Sequence, residues 1–360
     1  MINDFNKKVA KKIKGLSVRE IYRSLKRRIK GQGKDLITLS VYVMQFLKDV
    51  ANKKHISTNL ILTAPSGCGK TETYRAINDL FIEYGIPIPV IQIDATDLTE
   101  NGIKGKDTED IAKRIAESFV DVENNGYAIV FIDEIDKITT RMENESNRSE
   151  SVQSQILTLI EGRMLCVSLQ KPERDFYYNS SKTMFICTGA YQDLRKEKAM
   201  KKQKGQSIGF MREEKTVENE ALYDALSLDD LIENGMKEEL AGRFTDIINY
   251  KRLDPSDMKT IIEMRKEEIE NEMDCTITLG EKAVEELLLM SNGPMGVRKC
   301  TKEIKKRVAE ALGEYLVDDE NEEEFTDALE VRFESLDEFE VLKNKNDNAD
   351  NNETEAKTQE

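Results

Sequence analysis

Four apolar runs, NLILTA, VIQIDA, YAIVFIDE and TMFICTGA, lie between residues 59 and 190. The segments between them repeat apolar positions at helical spacing: TETYRAINDLFIEYG, then about 108–122, then about 150–162. Continuous apolar strands alternating with helices predict a parallel sheet covered on both faces. Upstream, helical spacing runs from Val18 to about Lys48 and breaks near Gly31-Gln32-Gly33. The stretch after Gly162, up to the fourth strand, reads as a polar loop.

Beyond about Leu253 the pattern changes. Asp254-Pro255-Ser256 predicts a helix start, with proline tolerated in the first turn. A helix to about Met273, the strand CTITL, two more helices and the strand ALEVRF follow. This is a second, smaller α+β unit, mostly helical. The end of the chain, NKNDNADNNETEAKTQE, has almost nothing to bury and is expected to be disordered. The expected organisation is a basic segment 1–17, a large α/β domain 18–252, a small domain 253–335 and an acidic tail 336–360.

Composition narrows the function. The net charge of −15 runs against general nucleic-acid binding, which needs Lys and Arg for phosphate contacts. Positive charge is local, at Lys7, Lys8, Lys11, Lys12 and Lys14 and again at Arg23, Lys26, Arg27, Arg28 and Lys30. A solvated helical face explains such clusters more simply than a binding patch. The five cysteines form no CxxC pair, which argues against structural zinc and for a reducing cytoplasm. The single histidine, His55, supports no His-based triad. No apolar run is long enough for a transmembrane helix, and the N-terminus lacks the apolar region of a signal peptide.

The chemistry gathers at the strand ends. APSGCGKT follows an apolar strand and opens a helix, the context that a phosphate-binding loop requires. Gly67 and Gly69 let the backbone curl so that its N–H groups face phosphate oxygens, and the helix start adds to that field. Pro65, Ser66 and Cys68 complete the loop, and Glu72 follows it. Lys70 is placed for the β- and γ-phosphates, and the Thr71 hydroxyl for Mg²⁺. Ala64 stands where the usual pattern has its first glycine. In IVFIDEID a buried strand delivers Asp133 and Glu134 to its C-terminal end, where ligands of such sheets bind. Asp133 is read as a Mg²⁺ ligand, directly or through water, and Glu134 as the group that polarises the attacking water. Two acids there also suit a plain helix N-terminus; the phosphate loop upstream favours catalysis.

Taken together, IKGQGKD, IDATDLTENGIKGKDTEDI, IVFIDEIDKI, SVQSQILTLIEG, FICTGAYQDL and MKEELAGRFTDI resemble, in order and spacing, the ClpX-type AAA+ unfoldases. The resemblance covers roughly Val18 to Phe333. It implies an AAA+ P-loop NTPase fold with a five-stranded parallel sheet and a small lid domain. It also implies an ATP-hydrolysing ring, a hexamer, that acts on polypeptides in the cytoplasm with ATP and Mg²⁺. The alternative is a stand-alone remodelling ATPase of the same fold. The family's zinc-binding N-terminal domain has no counterpart, in keeping with the missing CxxC pairs.

The resemblance assigns further roles. Ile29 opens the segment that lies over the adenine. Thr188 ends the fourth strand, where a hydroxyl orients water or γ-phosphate. Arg243, in AGRF, matches the arginine finger that reaches the neighbouring subunit. The second sensor departs, because Gly293-Pro294-Met295 stands where the family has Gly-Ala-Arg. Arg298, one helical turn on, either substitutes for it in nucleotide binding or has a packing role. The pore loop, Gly102-Ile103-Lys104-Gly105, has isoleucine where the family has an aromatic residue; a plain turn is the other reading. Ile208-Gly209-Phe210, an apolar triplet in a charged stretch, lies where the family carries the loop that docks on the ClpP peptidase. Its alternative is to fold back on its own domain.

Overall fold

The structure is a computed structural model that describes residues 2–96, 107–117, 126–140, 146–170, 173–206, 224–291, 296–317 and 329–343. These fall into two compact units, one within Met1–Leu253 and one within Asp254–Glu360.

The first unit opens with three helices. Helix α1 (Ile2–Lys12) buries Phe5 and Val9, one turn apart, and leaves Lys7, Lys8 and Lys11 in solvent. Phe5 stacks on Tyr127, with ring centroids 6.3 Å apart. The basic segment 1–17 is thus packed into this unit rather than standing apart from it. Ser17 and Glu20 form a reciprocal capping box that starts α2 (Val18–Arg28). The bases of α2 face acids on a later helix: Arg27 pairs with Glu83, and Arg28 with Asp79 and Glu72. Helix α3 (Gly33–Ala51) turns Leu36, Leu39, Val43, Phe46, Leu47 and Val50 inward.

Strand β1 (Leu60–Thr63) leads into α4 (Lys70–Glu83), β2 (Val90–Asp94), α5 (Asp107–Glu117) and β3 (Ala128–Asp133). Helices α6 (Asp136–Thr139) and α7 (Ser146–Ile160) follow, then β4 (Met164–Gln170), β5 (Glu173–Asn179) and β6 (Thr183–Gly189). Helices α8 (Gln192–Gln206), α9 (Leu228–Glu233) and α10 (Glu238–Ala241) precede β7 (Asp246–Asn249). The main sheet has five strands in the order β2-β3-β6-β1-β7, and every pairing in it is parallel. This is the five-stranded parallel sheet expected.

Burial explains why the strands read as unbroken apolar runs. Along β3, Ile129 and Phe131 join a core shared with α2, α3 and α4. Ala128, Val130 and Ile132 join a second core, on the opposite face, shared with α5, α7 and α10. Neighbouring side chains on a strand point to opposite faces, so a strand between two helical layers has no wet side.

Two features depart from the sequence pattern. The polar loop expected after Gly162 is an antiparallel hairpin, in which Leu165 pairs with Tyr178 and Val167 with Phe176. Val167 and Tyr178 are buried, while Met164 and Tyr177 are exposed. The alternation that makes it a hairpin is masked by charge around Lys171-Pro172-Glu173. The fifth strand, β7, is four residues of which two are polar, and it pairs with β1 at one edge.

The second unit begins at Asp254. Asp254 caps α11 (Pro255–Met273), accepting from the Asp257 N–H at 2.8 Å, with proline in the first turn. Strand β8 (Cys275–Leu279), α12 (Glu281–Ser291), α13 (Val297–Val317), β9 (Leu329–Ser335) and β10 (Glu338–Lys343) follow. The small sheet runs β10-β9-β8, and Ile277, Val331, Leu287, Ile304 and Val308 are buried here. Strand β10 falls inside the tail expected from 336. Phe339 lies beside Phe333 with centroids 6.1 Å apart, which gives those residues an apolar partner that the tail composition hides.

Candidate active site

The phosphate loop is made chiefly of backbone. Its first residue, Ala64, donates its N–H to the Gly189 carbonyl at 3.1 Å, tying the loop to β6. Gly67 and Gly69 have φ of +81° and +103°, a left-handed backbone that side chains rarely tolerate. Gly69 is the N-cap of α4 and brings no side chain to the first-turn N–H groups. A bare helix start of this kind, preceded by a curled glycine loop, fits a phosphate. Lys70 folds back and donates to the Ala64 carbonyl at 2.7 Å. Ile29 and the Tyr250 ring lie 3.7 and 3.8 Å from the point where a Gly69 side chain would begin, so both sit against this loop. The Tyr250 hydroxyl shares a hydrogen bond with the Thr73 hydroxyl at 2.9 Å. Glu72 is bound to its protein surroundings, with Arg75 at 2.9 Å and Arg28 at 3.4 Å. Cys68 is buried in the loop, and that burial raises its thiol pKa against the pull of Lys70 and then Arg195.

The other half of the site is made of side chains. Asp133 Oδ1 accepts from the Glu134 N–H at 2.9 Å and from the Thr188 hydroxyl. Asp133 Oδ2 accepts from Gln92 Nε2 at 3.0 Å. Glu134 sits at φ +56°, a strained conformation for a residue with a side chain. Burial pushes its carboxyl pKa upward; the Asp94 carboxylate adds to this, Lys137 opposes it, and Asp133 and Asp136 add further. The two halves meet on β6. Gly189 holds Ala64, while the Thr188 carbonyl accepts from the Ile135 N–H at 2.9 Å and the Thr188 hydroxyl holds Asp133.

Arg243 lies just after α10, and its guanidinium meets Glu161 at 2.8 Å rather than the phosphate loop. Arg298 is an exposed residue of α13 in the second unit. The residues expected to form a pore loop, Gly102, Ile103, Lys104 and Gly105, the triplet Ile208-Gly209-Phe210, and Gly293, Pro294 and Met295 lie outside the described residues.

The sequence pattern passed over three residues. Arg195 is 2% exposed and donates to Thr63 Oγ1 (2.9 Å), the Asp224 carbonyl (2.6 Å) and the Ala190 carbonyl (3.1 Å). In LRKEK it reads as one more surface charge. Gln92 shares a strand face with Asp94, two residues on, and that spacing was the available signal. Tyr250 had none. Among the described residues no helix is long and apolar enough to cross a membrane.

A family model described as "AAA domain (Cdc48 subfamily)" matches residues 55–247. The chain is 32% identical over 235 residues to the ATP-dependent Clp protease ATP-binding subunit ClpX of Treponema denticola, covering 62% of this chain and 55% of that protein. It is 30% identical over 264 residues to the ATP-dependent Clp protease ATP-binding subunit ClpX 2 of Wolinella succinogenes, covering 69% of this chain and 62% of that protein. The chain thus spans less than two thirds of the length of either relative.

Proposed function

The chain belongs to the AAA domain family, Cdc48 subfamily, and on that premise we propose that it is a cytoplasmic ATP-driven protein unfoldase, working as a hexameric ring that delivers polypeptide to a ClpP-type peptidase. The observation that carries this reading is the junction at β6, where Thr188 and Gly189 bind the phosphate loop and the Asp133–Ile135 turn to one strand end. The names of the relatives, which make them the ATP-binding subunits of a protease, support the peptidase partner.

In this reading the phosphates lie against the first turn of α4, with Lys70 leaving the Ala64 carbonyl to meet them. Thr71 and Asp133 offer the oxygen donors that suit Mg²⁺, which neutralises phosphate charge when bound. Glu134 takes the proton of the attacking water, and its raised pKa makes it the stronger base. Thr188 and Gln92 fix the Asp133 carboxylate. Arg243 acts on the γ-phosphate of the adjacent subunit, and Gly102–Gly105 grip the substrate. Arg298 serves the nucleotide in place of the missing sensor. Ile208-Gly209-Phe210 dock on the peptidase; six such loops gain strength by acting together.

A second reading, a remodelling ATPase without a peptidase, is favoured by Ile103, which offers less area than an aromatic pore residue. Degradation of an unstructured fluorescent protein, with ATP and a ClpP peptidase from the same source, tests both. The expected result is degradation that Phe210→Ala abolishes while ATP hydrolysis persists. Hydrolysis without degradation supports the remodeller, and no hydrolysis overturns both readings.

A further inference from the structure

The side chain that holds Arg243 stands on a rigid base. Glu161 follows the last residue of α7, its N–H still donating to the Leu157 carbonyl at 2.9 Å. The next residue, Gly162, has φ of +83° and packs so closely on Ser181 that an added side-chain carbon would lie 2.9 Å from Ser181 Cβ. Arg163 then bonds Ser180 in both directions, its N–H to the hydroxyl at 2.8 Å and its carbonyl from the Ser180 N–H at 3.0 Å. The backbone on both sides of Glu161 is thus tied to its surroundings. Its two oxygens take two cations, Arg243 at 2.8 Å and Arg163 at 3.3 Å.

Arg243 is anchored at its own base as well. Its N–H donates to the Leu240 carbonyl at 3.1 Å, and its carbonyl accepts from Asn59 at 3.5 Å. The side chain is half exposed (51%) and, among the described residues, its guanidinium partner is Glu161 through the one nitrogen Nη2. A guanidinium held by one edge keeps donors on its other edge for a second planar anion. Two cations sharing one carboxylate also leave the group net positive, so it still attracts phosphate. A long side chain ordered beforehand loses less freedom when it binds.

We propose that Glu161 is a positioning residue for trans-acting catalysis, holding the Arg243 guanidinium by one edge so that the other edge meets the neighbouring subunit's γ-phosphate. This rests on the reading of Arg243 as an arginine finger. An exposed pair contributes little to stability, so the effect falls on turnover.

The test is steady-state ATP hydrolysis by the full chain, comparing wild type, Glu161→Gln, Glu161→Asp, Arg243→Ala and the double variant Glu161→Gln/Arg243→Ala. The expected outcome is that Glu161→Gln lowers kcat about fivefold, with KM for ATP little changed, because only the transition-state contact is weakened. Glu161→Asp restores part of the loss, and the double variant is no slower than Arg243→Ala. Three outcomes overturn the proposal: wild-type kcat in Glu161→Gln, faster turnover in it, or an equal further loss when it is added to Arg243→Ala. Full activity in Arg243→Ala instead removes the finger reading itself, which separates the two failures.

Discussion

The two halves of the site are built from different materials. The phosphate loop is backbone, with two left-handed glycines and a helix start that offers N–H groups. The end of β3 is a knot of side chains, in which Gln92, Thr188 and the Glu134 N–H converge on Asp133. Apart from the two left-handed glycines, Lys70 and Thr71, the first half tolerates changes of side chain, because N–H groups are common to nearly all residues. Alanine at 64 and cysteine at 68 are cases in point. The second half depends on the identity of each partner.

Substitutions sharpen that contrast. The largest effect is expected at Glu134→Gln, which keeps shape and loses the carboxylate proposed as the base. ATP binding should persist while turnover falls on the order of a hundredfold or more, a split that isothermal titration and a phosphate-release assay read separately. Unchanged turnover would remove Glu134 from the chemistry. Next is Thr188→Val, which deletes a hydrogen bond to a charged acceptor and should slow turnover about tenfold. If it instead weakens ATP binding with turnover intact, the knot serves binding and the contrast collapses.

A pH profile probes the same half without mutation. The Glu134 pKa is raised and the proposed base acts when deprotonated, so kcat should fall as pH drops through a value above the usual carboxylate range. A profile flat down to the ordinary carboxylate pKa would contradict this. The smallest effect belongs to the backbone half. Cys68→Ala removes a small buried group and should leave the ATP Kd within about threefold. Its raised thiol pKa should also make alkylation slow in the native protein, which timed mass spectrometry measures. Rapid labelling with loss of ATP binding would show an open, side-chain-dependent loop.

The same contrast governs what could be read beforehand. Glycines, a lysine after them and acids ending an apolar run announce themselves, because each is out of place in its surroundings. The β4–β5 hairpin did not, since the charged stretch around Lys171-Pro172-Glu173 masks its alternation. Arg195 lay hidden among the charges of α8 although it is almost wholly buried. The Arg243–Glu161 pair joins residues 82 positions apart, and no local spacing carries that information. Helix α1 joins the core through a thin stripe led by Phe5 and Val9, too few apolar residues to stand out among lysines.

Strand β3 alternates between two cores, with Ile129 and Phe131 in one and Ala128, Val130 and Ile132 in the other. It therefore has no silent side. In a library of random variants, polar replacements from 128 to 132 should be lost together as unfolded protein. At Asp133 the reason for loss should switch abruptly, from proteins that do not fold to proteins that fold and do nothing. That edge, one residue wide, would separate the part of the strand that builds the molecule from the part that uses it.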